Sequence, residues 1–308
     1  MEIVTWGELD RKEELVPLLT LAFGDLFSLK EADEMIRLDP RLNRSEIGLC
    51  AMENGHVAGF VGLMELTARS VDRVAESVGG IWGVATLPSN ARRGVSTLLL
   101  NEAHRHFRDR HYRFSFLTTR RTFIAYHLYL KLGYEDVTEF PSAFKIIHRK
   151  KPPSTSKTKD KKPDWERILD IYRRYTSDKT GLVVRDLSYM KMLQMRARTD
   201  FKYEMKAIVG ENSYALYGMP GKSLVIHELV PDSEDKSDKL IREIEDQAQE
   251  LIIDRVVLDK KLLGSYRLQG YMTQDRSHGL LMAKPLTRDA TFRETYSDRF
   301  HLTSLDLF

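Results

Sequence analysis

The sequence has 308 residues, of which 42% are hydrophobic and 30% are charged, and its net charge is +3 with the histidines neutral. This is the composition of an ordinary globular protein of about two domains, and so small a charge argues against a nucleic-acid surface. There is no stretch of about 18 apolar residues and no signal-like N-terminus, so we expect a cytoplasmic protein without a membrane partner. The single cysteine, Cys50, lies in an apolar run, which favours a buried core residue over a catalytic thiol.

Short strands and helices alternate over the first 148 residues. Asn54 and Gly55 separate two apolar runs, and because both residue types tolerate positive φ they predict a tight hairpin. One apolar stripe, including Val95 and Leu99, predicts an amphipathic helix after the fourth strand of this region. The complete prediction for this part is strands at 2–6, 47–52, 57–66, 78–87, 113–118 and 143–148, with helices at 10–27, 30–38, 94–108 and 123–132.

A basic stretch at 149–163 separates the two halves of the sequence. It holds seven basic residues, one acid and three prolines, with no large apolar residue, so it predicts an exposed linker. Binding of nucleic acid or an anionic membrane is the alternative, and a solvated linker is preferred. The chain is thus divided into a domain at 1–148, the linker, a second domain at 164–286 and a tail at 287–308. The second domain is predicted to hold helices at 164–175 and 237–251, with strands at 204–209, 213–217, 223–230, 255–259 and 279–283.

The turn between the strand at 78–87 and the helix at 94–108 has the chemistry of a phosphate site. Unpaired backbone N–H groups and the dipole of a helix N-terminus attract phosphate oxygens. Gly94 allows close backbone approach, Ser96 and Thr97 are small hydroxyl residues, and Arg92 and Arg93 add positive charge. From spacing alone, an ordinary strand-turn-helix with surface arginines is an equal alternative.

Residues 91–96, Ala-Arg-Arg-Gly-Val-Ser, resemble motif A of the GCN5-related N-acetyltransferase (GNAT) superfamily, which ends in (Gln/Arg)-x-x-Gly-x-(Gly/Ala). Ala91 departs from the usual Gln or Arg, whereas the glycine matches. The resemblance implies a site for acetyl-CoA, in which strand residues before the turn hold the pantetheine arm and the turn holds the pyrophosphate. The cofactor-binding residues implied in this way are Val84, Ala85, Thr86, Arg92, Arg93, Gly94, Val95, Ser96 and Thr97.

A second stretch, 125–134, resembles motif B of the same superfamily, with an aromatic-Tyr-x-Lys-x-Gly pattern. The resemblance implies that Tyr129 donates a proton to the leaving thiolate of CoA. The alternative is that Tyr129 is a packed helix aromatic. Both motifs stand in the expected order on the expected elements, and the resemblance covers residues 1–148.

The whole layout is similar to acetyltransferases of the enhanced intracellular survival (Eis) type. The resemblance implies an α/β (α+β) fold, with a mixed, mostly antiparallel sheet flanked by helices, in tandem with a second, degenerate GNAT-like domain. It also implies that the carboxylate of the last residue, Phe308, serves as general base, on a tail that folds back toward the acceptor site. The alternative is a tail packed on its own domain. The strand before motif A offers no glutamate for this role, and the remaining candidates are Glu65 on the preceding strand and Asp25 or Glu34 near the first two helices.

The function implied is acetyl transfer from acetyl-CoA to an amine by direct attack. Aromatic residues Phe27 and Trp82, with acids Asp25 and Glu34, suit a small cationic amine or a peptide amine. The alternative is a non-catalytic module that senses acetyl-CoA. No metal is expected, because His104 and His106 lie two positions apart on a helix and therefore face different ways. Whether the chain forms a homo-oligomer stays an open question.

Overall fold

The computed structural model describes residues 1–24, 26–148, 163–199, 203–232, 234–276 and 279–308. Apart from Pro163, the predicted linker lies outside the described residues. The chain divides into two compact units. The first consists of residues 1–138, 280–298 and 308, and the second of residues 139–279 and 299–307.

These units differ from the predicted boundaries at two strands. Residues 142–146, expected in the first domain, pair with a strand of the second unit, with Lys145 opposite Ile252. Residues 280–285, expected in the second domain, belong to the first unit. The reason is that apolar alternation marks a strand but does not say which sheet edge the strand will pair with.

The chain forms both helices and strands, and the strands within 48–86 and within 206–230 follow one another without an intervening helix. None of the helices within the described ranges is long and apolar enough to cross a membrane. The strands are β1 (Glu2–Thr5), β2 (Gly48–Glu53), β3 (His56–Arg69), β4 (Ala75–Thr86), β5 (Phe114–Arg120), β6 (Glu135–Glu139), β7 (Ser142–Ile146), β8 (Thr180–Gly181), β9 (Lys206–Val209), β10 (Tyr214–Gly218), β11 (Ser223–Val230), β12 (Leu251–Asp254), β13 (Met272–Gln274), β14 (Gly279–Pro285) and β15 (Phe300–His301). The α-helices are α1 (Leu15–Phe23), α2 (Leu29–Leu38), α3 (Val95–Asp109), α4 (Ile124–Lys131), α5 (Trp165–Tyr175), α6 (Leu187–Thr199), α7 (Glu234–Glu245), α8 (Lys260–Leu268) and α9 (Phe292–Tyr296).

The first unit is built on a mixed sheet in the order β1-β2-β3-β4-β5-β14-β6. Strands β1 to β4 are successive antiparallel neighbours, whereas β4 and β5 are parallel. The hairpin between β2 and β3 turns at Asn54 (φ 54°) and Gly55 (φ 79°), as expected from the two residue types. The predicted fold class, a mostly antiparallel mixed sheet with flanking helices, is confirmed.

Apolar side chains of this sheet alternate between two core layers. Leu49 and Val61 face a cluster with α3, which contributes Leu99 and Phe107. Their sequence neighbours, such as Cys50, face a second cluster with α1. Period-two alternation therefore places helices on both faces of one sheet.

The second unit has its own sheet, in the order β13-β7-β12-β11-β10-β9. Its core packs β11 and β12 against α7 and α8. The predicted helix at 237–251 and strand at 255–259 are wrong in their bounds, because α7 ends at Glu245 and β12 occupies 251–254. The predicted helix includes Leu251 and the predicted strand begins at 255, so residues 252–254 fall between the two, although the β-branched Ile252 and Ile253 favour a strand.

Candidate active site

The neighbouring strands β4 and β5 separate at one end. Their parallel register runs from Gly79 opposite Ser115 to Ile81 opposite Leu117. Both strands continue beyond this point, β4 to Thr86 and β5 to Arg120. The backbone groups at the end of β4 that face β5 therefore lack a ladder partner, and such groups need another partner. This feature is a wedge between two strands, open to an extended ligand.

A β-bulge re-aims β4 at the same level. Against β3, Trp82 lies opposite Gly62 and Ala85 lies opposite Phe60, so β4 has one more residue in this interval. The extra length is taken up at Gly83, whose φ of 60° suits glycine. Bulges of this kind redirect backbone groups beside functional sites. The backbone of Val84, one of the strand residues predicted to hold the pantetheine arm, lies in this bulge.

The turn after β4 ends in an open helix N-terminus. Arg92 (φ 61°) and Gly94 (φ 82°) both have left-handed backbones, and α3 begins at Val95. The N-cap, Gly94, has no side chain to accept from the first N–H groups, and the first backbone bond of the helix runs from Leu98 N–H to the Gly94 carbonyl. The N–H groups of 95–97 thus have no partner within the helix. Apart from its two chain neighbours, no described residue has an atom within 4 Å of where a Cβ on Gly94 would stand, so the space in that direction is open.

The two arginines of the turn have different surroundings. Arg93 binds Glu53 through both terminal nitrogens, at 2.8 Å and 2.6 Å, and Asn90 donates to the same carboxylate at 2.6 Å. The hydrogen bond from Arg93 lowers the pKa of Glu53, so the pair stays ionised. Arg92 is exposed and makes no hydrogen bond or ion pair within the described part of the chain. Arg93 therefore fixes the turn, while Arg92 can meet an incoming anion.

Other predicted cofactor residues contribute to the walls of the turn. The side chain of Val95 is buried, and a Cβ on Gly59 would lie 2.7 Å from its Cγ1. Ala85 is also buried, while the hydroxyls of Thr86 and Ser96 are hydrogen-bonded at 2.7 Å. These contacts hold α3 against the end of β4. The side chains of Val95 and Ala85 serve the core, so only their backbone groups can face a ligand.

Tyr129 of α4 combines features of both alternatives considered for it. Its side chain is only 7% exposed and meets the ring of Tyr134 edge-on, with 5.9 Å between centroids. Its hydroxyl makes no hydrogen bond to any residue that the structure describes. Burial raises the pKa of Tyr129 to about 12, so the phenol stays protonated. The ring of Tyr129 is thus packed in the core, while its hydroxyl stays available as a hydrogen-bond donor.

Phe308 meets β5 beyond the end of its pairing with β4. The hydroxyl of Thr118 donates to the main-chain oxygen of Phe308 at 2.5 Å. Both residues are half-buried and belong to the first unit. Phe308 therefore stands beside the strand that forms one side of the wedge. The sequence offered no signal for Thr118, since 190 positions separate the two residues.

The predicted acceptor residues are only partly brought together. Phe27 and Trp82 are half-buried and pack against one core cluster, in which Phe60 meets Trp82 at 5.4 Å between centroids. The indole N–H of Trp82 donates to the Leu63 carbonyl at 3.2 Å. Glu34 is exposed on α2. Asp25 lies outside the described residues.

The alternative reactive groups are tied up elsewhere. Cys50 is fully buried, and this burial raises its pKa to about 12, so a thiolate is disfavoured. Glu65 accepts from Tyr112 at 2.6 Å and from Ser77 at 3.2 Å, in the part of the sheet where β4 and β5 are still paired. His104 is buried and bonded to Tyr134, and burial lowers its pKa to about 3. Across the described residues, no group of three or more His, Cys, Asp or Glu is placed to hold a metal ion.

Comparisons with known proteins agree with this arrangement. Residues 8–137 match the sequence model of an acetyltransferase (GNAT) domain. No curated protein matches the sequence. Among solved structures, a GCN5-related N-acetyltransferase from Kribbella flavida is similar at 18% identity with a TM-score of 0.67, over 92% of this chain and 72% of that one. Eis1 from Mycobacterium abscessus is similar at 17% identity with a TM-score of 0.64, over 93% and 74%. At these identities the similarity shows a shared fold.

Proposed function

We propose that this chain, an acyltransferase that carries a GNAT domain over residues 8–137, moves an acetyl group from acetyl-CoA to an amine by direct attack. The observation that carries the proposal is the continuity of β4, which leads from an unpaired edge into an open helix N-terminus. An extended pantetheine arm needs the first feature, and a pyrophosphate needs the second. A small cationic amine or a peptide amine is the proposed acceptor, with Phe27 and Trp82 as its apolar wall.

The residues of the turn fit the phosphates of CoA. The N–H groups of 95–97 and the dipole of α3 supply partial positive charge without a side chain. Arg92 supplies the mobile full charge, while Arg93 is held by Glu53. Thr97 and Ser96 line the first helical turn beside these N–H groups. This division assigns most of the binding to the backbone, so the departure at Ala91 removes one side-chain contact and leaves the anion site.

In this reaction one bond forms and one bond breaks, and protons must be handled at two atoms, the attacking nitrogen and the leaving sulfur. The nitrogen of a neutral amine bonds to the thioester carbonyl carbon, and the carbonyl oxygen gains negative charge that a backbone N–H near Val84 stabilises. The carbonyl double bond then re-forms from the charge on oxygen, and the carbon–sulfur bond breaks. The sulfur then needs a proton or a donor, and the nitrogen must lose a proton.

Tyr129 is the proposed donor to sulfur. Its pKa of about 12 lies well above the value of about 8.5 that is typical of a thiol. Complete proton transfer from Tyr129 to the thiolate is therefore uphill, whereas a hydrogen bond that strengthens as the sulfur becomes charged is favourable. The unpartnered hydroxyl suits this role, because no competing bond must be broken.

Replacing Tyr129 with Phe tests the enzyme proposal. The ring contacts of the core remain, so we expect acetyl-CoA affinity to be unchanged and kcat to fall by about 100-fold or more. Thiol release from acetyl-CoA with a panel of amines is the assay, and calorimetric titration of acetyl-CoA is the binding measurement. Tyr126→Phe is the matched control, since it removes a hydroxyl of the same helix that bonds Asp136 at 3.0 Å.

A non-catalytic acetyl-CoA-binding module is the competing function. It predicts tight binding in wild type, no amine-dependent thiol release, and a silent Tyr129→Phe substitution. The same two measurements therefore separate the two functions. If the wild type turns over amines and the Tyr129→Phe variant does so at the same rate, the chain is an enzyme but Tyr129 has no part in its mechanism.

The carboxylate of Phe308 is the proposed acceptor of the amine proton, for a chain that ends at this residue. A terminal carboxyl has an ordinary pKa of about 3.5 and is ionised at neutral pH. Thr118 holds the main-chain oxygen of Phe308 beside β5, which supports a fixed position for this charge. An ionised carboxylate there can take the proton that the nitrogen sheds as the new bond forms.

Appending two glycines after Phe308 tests this role, because they move the carboxylate by up to about 7 Å. We expect a loss of about 100-fold in kcat with acetyl-CoA affinity retained. Thr118→Val should give a smaller loss and Thr118→Ser almost none, because serine keeps the hydroxyl. Full turnover in the extended chain would exclude the terminal carboxylate as the base.

A further inference from the structure

The second unit contains a small pocket where two of its parallel strands stop pairing. The register of β11 with β12 runs from Ser223 opposite Leu251 to Ile226 opposite Asp254, and β11 then continues to Val230. Beyond this point the strands border a cavity of about 20 Å³, enough for one water-sized group. The polar wall of the pocket is formed by Glu228, Asp254, Asp259 and His301, and its apolar wall includes Val257 and Leu262.

Three of the polar groups are carboxylates. Asp254 is 3% exposed and accepts from the Tyr266 hydroxyl at 3.0 Å and from Val256 N–H at 3.3 Å, but it has no ion pair within the described residues. Burial raises the pKa of Asp254 to about 7, as expected for a carboxyl without a cation. The ionised form of this group would be stabilised by a positive guest.

His301 supplies a fourth polar group. It is 7% exposed, and its Nε2 is buried without a hydrogen bond to any residue that the structure describes. Burial lowers the pKa of His301 to about 4, so the ring is neutral near pH 7. A neutral imidazole carries one acceptor nitrogen, so His301 can accept a bond from a guest. An orphaned buried nitrogen in a polar pocket calls for an occupant.

The charged groups around the pocket include more carboxylates than cations, which favours a positively charged guest. Arg185 is shared between Glu228 and Asp306, at 2.8 Å to each. Lys179 lies 3.8 Å from Asp259. With Asp254 ionised, four carboxylates thus face two cations. Both oxygens of Glu228 and of Asp259 already accept hydrogen bonds. The unused capacity of the pocket therefore lies with Asp254 and His301, so the fitting guest is small, positive and able to donate in more than one direction.

We propose that this pocket binds an ammonium group, either the free ion or the terminal –NH3⁺ of a small amine. An ammonium group has the size of a water molecule, and its N–H groups can donate to Asp254 and to His301. A metal ion suits the site less well, because no three His, Cys, Asp or Glu side chains among the described residues, those of the pocket included, are arranged to hold one. The site would make the second unit responsive to amines, independently of acetyl transfer.

Thermal unfolding in matched salts at pH 7.5 tests the proposal. Ammonium chloride, methylammonium chloride and tetramethylammonium chloride would be compared at one ionic strength. Ammonium at tenfold above its Kd should raise Tm by about 2–4 °C relative to tetramethylammonium, which is too large to enter. An equal shift with methylammonium assigns the site to amine head groups, whereas a shift with ammonium alone assigns it to the free ion.

Two variants keep the test falsifiable. Asp254→Asn removes the charge while keeping the shape, and His301→Phe keeps the edge-on ring contact with Tyr175 while removing Nε2. Each should abolish the ammonium-selective shift, and Asp275→Asn, which changes an exposed acid of the same unit, should preserve it. No selective shift in wild type, or the same shift in both pocket variants, would overturn the proposal. Because the readout contains no acetyl-CoA, its failure is distinct from failure of the acetyltransferase proposal.

Discussion

A Gly94→Glu variant is expected to lose acetyl-CoA affinity by at least about 100-fold while it keeps its fold. The space in front of Gly94 is empty to 4 Å, so a side chain there projects into solvent at the mouth of α3 rather than into the core. Its carboxylate would meet the same N–H groups and dipole that are proposed to hold the pyrophosphate. Two like charges 4 Å apart repel by about 4 kcal/mol at an effective dielectric constant of 20, more than enough for this loss.

Matched glycine variants separate charge from backbone strain. Gly94→Ala places a Cβ at the same φ of 82°, so it carries the strain, of about 1 kcal/mol, without the charge and should bind only slightly less tightly. Gly270→Glu carries both the strain and the charge at a glycine of the second unit that follows the C-terminal end of α8, where φ is 79° and the Cβ direction is also empty. Calorimetric titration of acetyl-CoA into all three variants is the measurement. Equal losses in the Ala and Glu variants at position 94 would show that strain, not an anion site, underlies the effect.

The local parts of the fold were predictable because their causes are local. The hairpin at Asn54 and Gly55 follows from two residue types at adjacent positions. The long helix α3 follows from a stripe with a period near 3.6, and the residues of that stripe, such as Leu99 and Phe107, are buried as expected. Leu98, which also fitted the stripe, is 40% exposed because it lies at the edge of the buried face.

Pairing choices between distant strands were not predictable in the same way. Alternation predicts strands at 143–148 and 279–283, but the sheet that each joins depends on edges formed by residues far away in sequence. The short strand β12 pairs with two neighbouring strands, in parallel with β11 and antiparallel with β7. Nothing within four residues encodes this pairing, so the sequence predicts a helix that ends at Leu251 and a strand only at 255–259.

The candidate site shows the same division. The turn at 92–97 is contiguous, so the sequence could present its glycine, hydroxyls and arginines together. The different fates of Arg92 and Arg93 depend on Glu53, 40 positions away from Arg93. The contact of Thr118 with Phe308 likewise joins distant parts of the chain. Sequence patterns can therefore identify the binding backbone of a site before they identify the side chains that position it.

An Arg185→Met variant is expected to lose about 3–5 kcal/mol of stability in the second unit. The side chain of Arg185 is 1% exposed and donates to the carboxylates of Glu228 and Asp306. It also lies over the ring of Tyr172, with 3.9 Å from the guanidinium carbon to the ring centroid. Removing the cation leaves two buried carboxylates without their partner, and such groups cost several kcal/mol to keep in place.

The cause of the loss can be isolated with a neutral replacement of the whole cluster. Arg185→Met combined with Glu228→Gln and Asp306→Asn has no unpaired charge, so it should regain most of the lost stability despite carrying more substitutions. Arg185→Lys should fall between wild type and Arg185→Met, because lysine keeps the charge but cannot reach both carboxylates with a planar fork.

Hydrogen exchange measured by mass spectrometry localises the effect. In Arg185→Met, peptides that cover β11 and β12 should exchange about 100-fold faster or more, since an opening free energy lowered by 3–5 kcal/mol corresponds to at least that factor. Peptides from β3, in the first unit, serve as the internal reference and should exchange as in wild type. Protection of β11 and β12 that is unchanged in Arg185→Met would mean that Glu228 and Asp306 find other partners or take up protons when the cation is removed. In that case the buried cluster would set which arrangement the second unit adopts without contributing to its stability.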